Sequence, residues 1–202
     1  MRILALDTTG AQCSAALCDR ANILAFKAEN IGRGHAERLA PMVAELLSAA
    51  KLSATSIDKI VVCTGPGSFT GLRVALAFAK GFALPRRLPV VGLSSLVVWA
   101  SQKDPESIGR IAAAADVRRG QICWAGFEKG VQTRPPVTQD EKTARAHIAA
   151  FKPDHIIEDG LVDTRILAWL GAGLSPQDYP ALPLYSRPVS YTHLTLPTIP
   201  LV

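Results

Sequence analysis

The sequence predicts an α/β protein of two related lobes, each a mixed sheet with flanking helices, the second lobe cut short. Three observations carry this class. The first half reads as a three-stranded meander followed by alternating helix and strand patterns, the order expected of a mixed sheet covered by helices. After a polar stretch at residues 102–107 the opening theme returns. Ile111 to Asp116, a turn at Arg119-Gly120 and Gln121 to Ala125 parallel Ile3 to Asp7, Gly10 and Gln12 to Ala16. Finally, 202 residues with 49% hydrophobic and 19% charged side chains can bury a sizeable core, and no polar low-complexity tract interrupts them.

The elements follow in order. Strands are expected at residues 2–7, 13–18 and 23–28, separated by turn signals at Thr9-Gly10 and Asp19-Arg20. A helix over 34–51 places Leu39, Met42, Val43, Leu46 and Leu47 on one face by the i, i+3, i+4, i+7, i+8 rule, with Pro41 bending it or marking a late start. A strand at 57–63 runs through Gly65, Gly67 and Gly71 into a helix over 69–84, then a strand at 89–93 and a helix over 94–102. The second half adds a helix at 140–151, a strand at 155–158 and a helix at 161–170. The lobes so defined are 1–103 and 104–187. Residues 188–202 carry no charge, fit neither period and resemble a translated sequencing adapter; they are excluded from the fold and expected to make few contacts.

Bulk properties narrow the function. The net charge of +5 permits nucleic-acid contact without arguing for it, because only Arg86-Arg87 and Arg118-Arg119 pair up and neither is interleaved with aromatics. Cys13, Cys18, Cys63 and Cys123 form no C-x-x-C or zinc pattern. The chain begins Met1-Arg2 and enters a strand directly, and no apolar run reaches membrane-spanning length, so a cytoplasmic protein without membrane contact is expected.

Two motifs carry chemistry. Asp7-Thr8-Thr9-Gly10 ends the first strand, where hydroxyls can donate to a phosphate and a carboxylate can position a metal-bound water; equally, Asp7 can bond its own turn. The loop Gly65-Pro66-Gly67-Ser68-Phe69-Thr70-Gly71-Leu72-Arg73 is no Walker loop, since no Gly-Lys-Ser/Thr closes it. Ser68 and Thr70 lack a base and read as caps for the following helix. That helix is apolar or small nearly all round, and Gly71, Ala75 and Ala79 form a smooth ridge suited to close approach by another helix, whether from this chain or a second one.

The opening Ile3 to Thr9 together with the Gly-Pro-Gly-Ser-Phe-Thr-Gly-Leu-Arg run resembles the signature of the TsaB (YeaZ) family, and Ala115 to Ile122 is similar to its Asp-Ala-Arg turn with Val117 where Ala is usual. The resemblance implies an actin, Hsp70 and sugar-kinase-like (ribonuclease H-like) fold. It also implies the non-catalytic dimerisation subunit of the machinery that makes threonylcarbamoyladenosine in tRNA. The implied partners are TsaD in a heterodimer, the TsaE ATPase, tRNA through the complex, and a second copy of the chain when TsaD is absent. In the paralogous TsaD, two histidines four residues apart hold a metal; the matching stretch here, Pro89 to Trp99, contains no His, Cys, Asp or Glu. No catalytic or metal-ligating residue is therefore assigned, and ATP and a metal ion are expected in the partner subunits alone. His35, His147 and His155 join no nucleophile pattern. The interface implied by the family comprises Leu39, Met42, Val43 and Leu46 on the first helix and Leu72, Ala75, Leu76 and Ala79 on the second. The alternative is an actin-like ATPase or small-molecule kinase using Asp7 and its turn, with Gly171-Ala172-Gly173 as a nucleotide-site remnant or simply a helix end.

Overall fold

The computed structural model describes residues 1–19 and 22–185; the segment 188–202 set aside above lies outside the described residues. Strands β1 (Arg2–Asp7), β2 (Gln12–Asp19) and β3 (Asn22–Asn30) form the antiparallel meander. After helix α1 (His35–Ala49), strand β4 (Lys59–Cys63) pairs parallel to β1. Helix α2 (Phe69–Ala83) leads to β5 (Val90–Leu93), parallel to β4, which completes a sheet of order β3-β2-β1-β4-β5. Helix α3 (Ser95–Lys103) ends the first half. Pro41 lies inside α1 on its exposed side rather than at a late start.

The duplication expected from the sequence is present. Strands β6 (Arg110–Asp116), β7 (Gln121–Glu128), β8 (Val131–Asp140) and β9 (His155–Glu158) form a second sheet of order β8-β7-β6-β9, the first order with its last strand missing. Helices α4 (Glu141–Phe151) and α5 (Thr164–Gly171) complete it. β8 is absent from the sequence reading. Its Pro135-Pro136 breaks the strand pattern, yet both prolines fall where the register with β7 shifts, between the Gly126–Arg134 and Trp124–Val137 pairs on a sheet edge. There a missing N–H costs the ladder nothing.

The boundary at 103/104 divides the sheets but not the helices. α3 packs on β6, β7 and β9 of the second sheet, and α5 packs on β1, β2, β4 and β5 of the first. Ile3, Ala5, Val61, Trp99, Ile111, Ala113 and Leu167 thereby share one core between the sheets. α1 and α2 cover the opposite face of the first sheet over Leu4, Leu6, Leu17, Ile60 and Val62, and α4 covers the outer face of the second.

A charge network ties β3 to α1. Arg38 grips both oxygens of Glu29 and bonds Glu45, and Lys27 bridges to both carboxylates. These bonds from Arg38, then Lys27, hold Glu29 and Glu45 down to about 2 from an ordinary 4.5. Both folded-state pKa values lie below the unfolded ones, so the stabilisation is complete above the unfolded pKa and is lost as pH falls from there toward 2. We expect the denaturation midpoint to drop between pH 5 and pH 2.5, and Glu45→Gln to shrink that drop; an equal drop in the variant would assign the acid sensitivity elsewhere.

Candidate docking groove and interlobe cleft

The two sequence motifs meet, and each uses up the polar groups of the other. Thr8 Oγ1 donates to the Gly71 carbonyl at 2.6 Å, and Ser68 N–H donates to the Thr9 carbonyl at 2.7 Å. A Cβ at Gly67 would stand 2.4 Å from the Thr9 oxygen, and one at Gly71 would stand 1.9 Å from the Thr8 oxygen. Thr9 gives its N–H and hydroxyl to Asp7 at 3.0 and 2.7 Å. Burial raises the pKa of Asp7 against those bonds, and burial with the nearby Asp7 charge pushes the Cys63 thiol well up. The glycines thus serve close packing, and of the two readings of Asp7 the geometry matches the self-bonded turn. Ser68 caps α2 by accepting from Gly71 N–H, while Thr70 is exposed within the first turn and caps nothing.

The eight residues expected at a partner interface require correction. Leu39, Met42, Val43, Leu46, Leu72, Ala75, Leu76 and Ala79 are each 5% exposed or less, packed inside the chain. The small-residue ridge of α2 faces its own sheet, where Gly71 lets the helix descend onto β1. Period four is the same whether a helix lies on a sheet or on another helix, so the pattern names a close approach without naming what approaches. What α1 and α2 leave outward shares only Leu39 with that set. Ala36, Phe69, Arg73, Val74, Ala77 and Phe78 line a groove of about 480 Å³ between the two helices.

A cleft of about 1040 Å³ lies between the lobes, with Asp7, Trp99, Asp116, Arg119 and Asp159 among its walls. Asp116 accepts from Arg118 N–H at 2.7 Å, and Asp159 accepts from Asp116 N–H at 2.9 Å. Arg118, Arg119 and Gly120 all take positive φ in the turn between β6 and β7. Trp99 is buried on one wall, and its Nε1 has no hydrogen-bond partner among the described residues. At the cleft's rim the rings of Phe69 and Tyr185 meet at 5.5 Å, and the Arg73 guanidinium lies 3.9 Å over Phe69. The sequence reading assigns no site role to Phe69, Ala77, Phe78, Asp159 or Tyr185, although an aromatic opening a helix is a usable signal.

Gly171 ends α5 against Val61, so the Gly171-Ala172-Gly173 run is a helix terminus here. His35 begins α1, His147 bonds Gln139 and His155 begins β9. Among the described residues no three His, Cys, Asp or Glu side chains converge as a metal site, and no helix is long and apolar enough to cross a membrane.

This duplicated α/β architecture, with a shortened second lobe, is the class that the family model described as "TsaD: tRNA N6-adenosine threonylcarbamoyltransferase" matches, over residues 26–165. Within that class the chain belongs to the TsaB/YeaZ family. It is 38% identical over 130 residues to the tRNA threonylcarbamoyladenosine biosynthesis protein TsaB of Escherichia coli, a match covering 64% of this chain and 56% of that protein. The chain thus spans little more than half the length of that relative. An uncharacterized protein of Mycobacterium tuberculosis is 33% identical over 158 residues, covering 76% of this chain and 73% of its own length. The crystal structure of YeaZ from Pseudomonas aeruginosa superposes with a TM-score of 0.72 at 28% identity, covering 91% of this chain and 99% of that one.

Proposed function

We propose that the chain is a non-catalytic subunit of the cytoplasmic machinery that makes threonylcarbamoyladenosine in tRNA, and that it docks a TsaD-type partner on the outward groove of α1 and α2. The groove is the observation that carries this reading. It offers Val74, Ala77 and Phe78 beside Ala36, a shallow apolar strip that a partner helix can enter closely, with Arg73 and Thr70 at its edge. Binding one conformation of the partner more tightly than another is enough to activate it, with no chemistry in this subunit. On this reading tRNA and TsaE are met through the complex, ATP and metal are held by the partners, and a second copy takes the groove when TsaD is absent.

Ala77→Arg tests the site, because Ala77 is exposed and its replacement leaves the core intact. The variant is expected to fold as wild type and to bind a TsaD-family protein about 30-fold more weakly, the cost of an unpaired charge in a closed interface. Titration calorimetry measures it, and unchanged affinity would move the interface off this groove. Ala75→Arg, the substitution the sequence alone invites, is unsuitable: Ala75 is fully buried, so that variant would unfold instead of reporting on assembly.

The alternative, an actin-like ATPase or kinase, draws support from the interlobe cleft and its carboxylates. Against it, the hydroxyls of Thr8 and Thr9 are already committed to Gly71 and Asp7. Turnover of Mg-ATP by the isolated chain, absent from a variant in which Asp7 is replaced by Asn, would establish it.

A further inference from the structure

We propose that the rim of the interlobe cleft takes an unpaired nucleobase of single-stranded RNA, stacked on the Phe69 and Tyr185 rings. Phe69, Arg119 and Tyr185 are scattered along the chain, and the fold brings all three to the lining of one cleft, with Arg73 stacked on Phe69. Two aromatic rings that a globular protein would ordinarily bury are left 48% and 37% exposed, side by side. Arg73 sits on the first ring, with no ion pair among the described residues, and stiffens it as a stacking surface. Arg119 lines the same cleft, exposed and likewise in no ion pair among the described residues. An exposed aromatic pair with arginines beside it is the arrangement that holds single-stranded nucleic acid, the rings taking base faces and the cations the backbone.

The walls fit a base better than a bare phosphate. Asp116 and Asp159 each use one oxygen on a backbone N–H and keep the other as an acceptor, suited to base amino or imino groups and repulsive to anions. A duplex cannot reach this platform, because its bases are paired and stacked among themselves.

Phe69 and Arg73 border both features, whereas Tyr185 and Arg119 line the cleft and take no part in the groove lining. The test is fluorescence anisotropy of the full chain with a labelled RNA hexamer, single-stranded and as a duplex, across a salt series. The hexamer is expected to bind about tenfold more tightly than the duplex, and Tyr185→Ala to weaken it about tenfold at every salt concentration. Arg119→Gln should instead flatten the salt dependence by about one unit of log–log slope. Tyr185→Ala and Arg119→Gln should leave affinity for the TsaD-type partner unchanged, because neither residue lines the groove, so the two proposals fail independently. Equal affinity for the duplex, an unaffected Tyr185→Ala variant with wild-type melting, or displacement of the hexamer by equimolar ATP would each overturn the RNA platform.

Discussion

Replacing Gly71 by alanine is expected to lower the unfolding free energy by about 3 kcal/mol or more, measured by urea denaturation followed by circular dichroism. The added Cβ would lie 1.9 Å from the Thr8 carbonyl oxygen and 3.0 Å from its carbon. Both are backbone atoms, so no rotamer change relieves the clash; either α2 rises or the turn after β1 moves. Either movement breaks the Thr8 Oγ1 bond to Gly71 and the Ser68 bond to Thr9, which bind the same two segments. The effect is steric, since Gly71 is an ordinary helical residue rather than a positive-φ glycine. Gly81 in the same helix is the control. Nothing lies within 4 Å of a Cβ there, so Gly81→Ala should gain about 0.5–1 kcal/mol by removing backbone freedom from the unfolded chain. Two variants with the same midpoint as wild type would refute the glycine clasp.

That contrast marks what the sequence could and could not disclose. Periodicity located the buried faces of α1 and α2 correctly: Leu39, Met42, Val43 and Leu46 are core, as an apolar stripe should be. It left the cover open, because an apolar stripe is equally satisfied by a sheet below or a partner above, and the interface implied by the family resemblance took the partner. The duplication was legible, since Asp7 and Asp116 end equivalent strands and glycine-bearing turns follow both. β8 was hidden by prolines that only a register shift accommodates. The cleft was illegible in principle: Phe69, Trp99, Arg119, Asp159 and Tyr185 share no local pattern and meet only through the exchange of α3 and α5 between the sheets.

The exchange itself depends on one cation that the sequence disguises as a strand-end surface lysine. Lys59 opens β4 yet is only 6% exposed, and its Nζ donates to the carbonyls of Gly171, Ala172 and Leu174 at 3.0, 2.8 and 2.6 Å. Helix α5 is eight residues long, too short to persist without tertiary support, and no basic residue of its own lies in its last turn. The Gly171 carbonyl among these is buried, where an unmet acceptor costs about 1–3 kcal/mol. The lysine charge also sits at the negative end of the helix dipole. Lys59→Met keeps the volume and removes all three donors. A loss of about 3 kcal/mol is expected, less than the sum of three charged bonds because water can reach the end beyond Ala172, which is half-buried. Amide exchange localises the cause: α5 should lose protection before β4 does. Uniform loss across the first sheet would mean that Lys59 supports the strand instead, and that α5 is held across the lobes by apolar packing of Leu167, Ala168 and Gly171 alone.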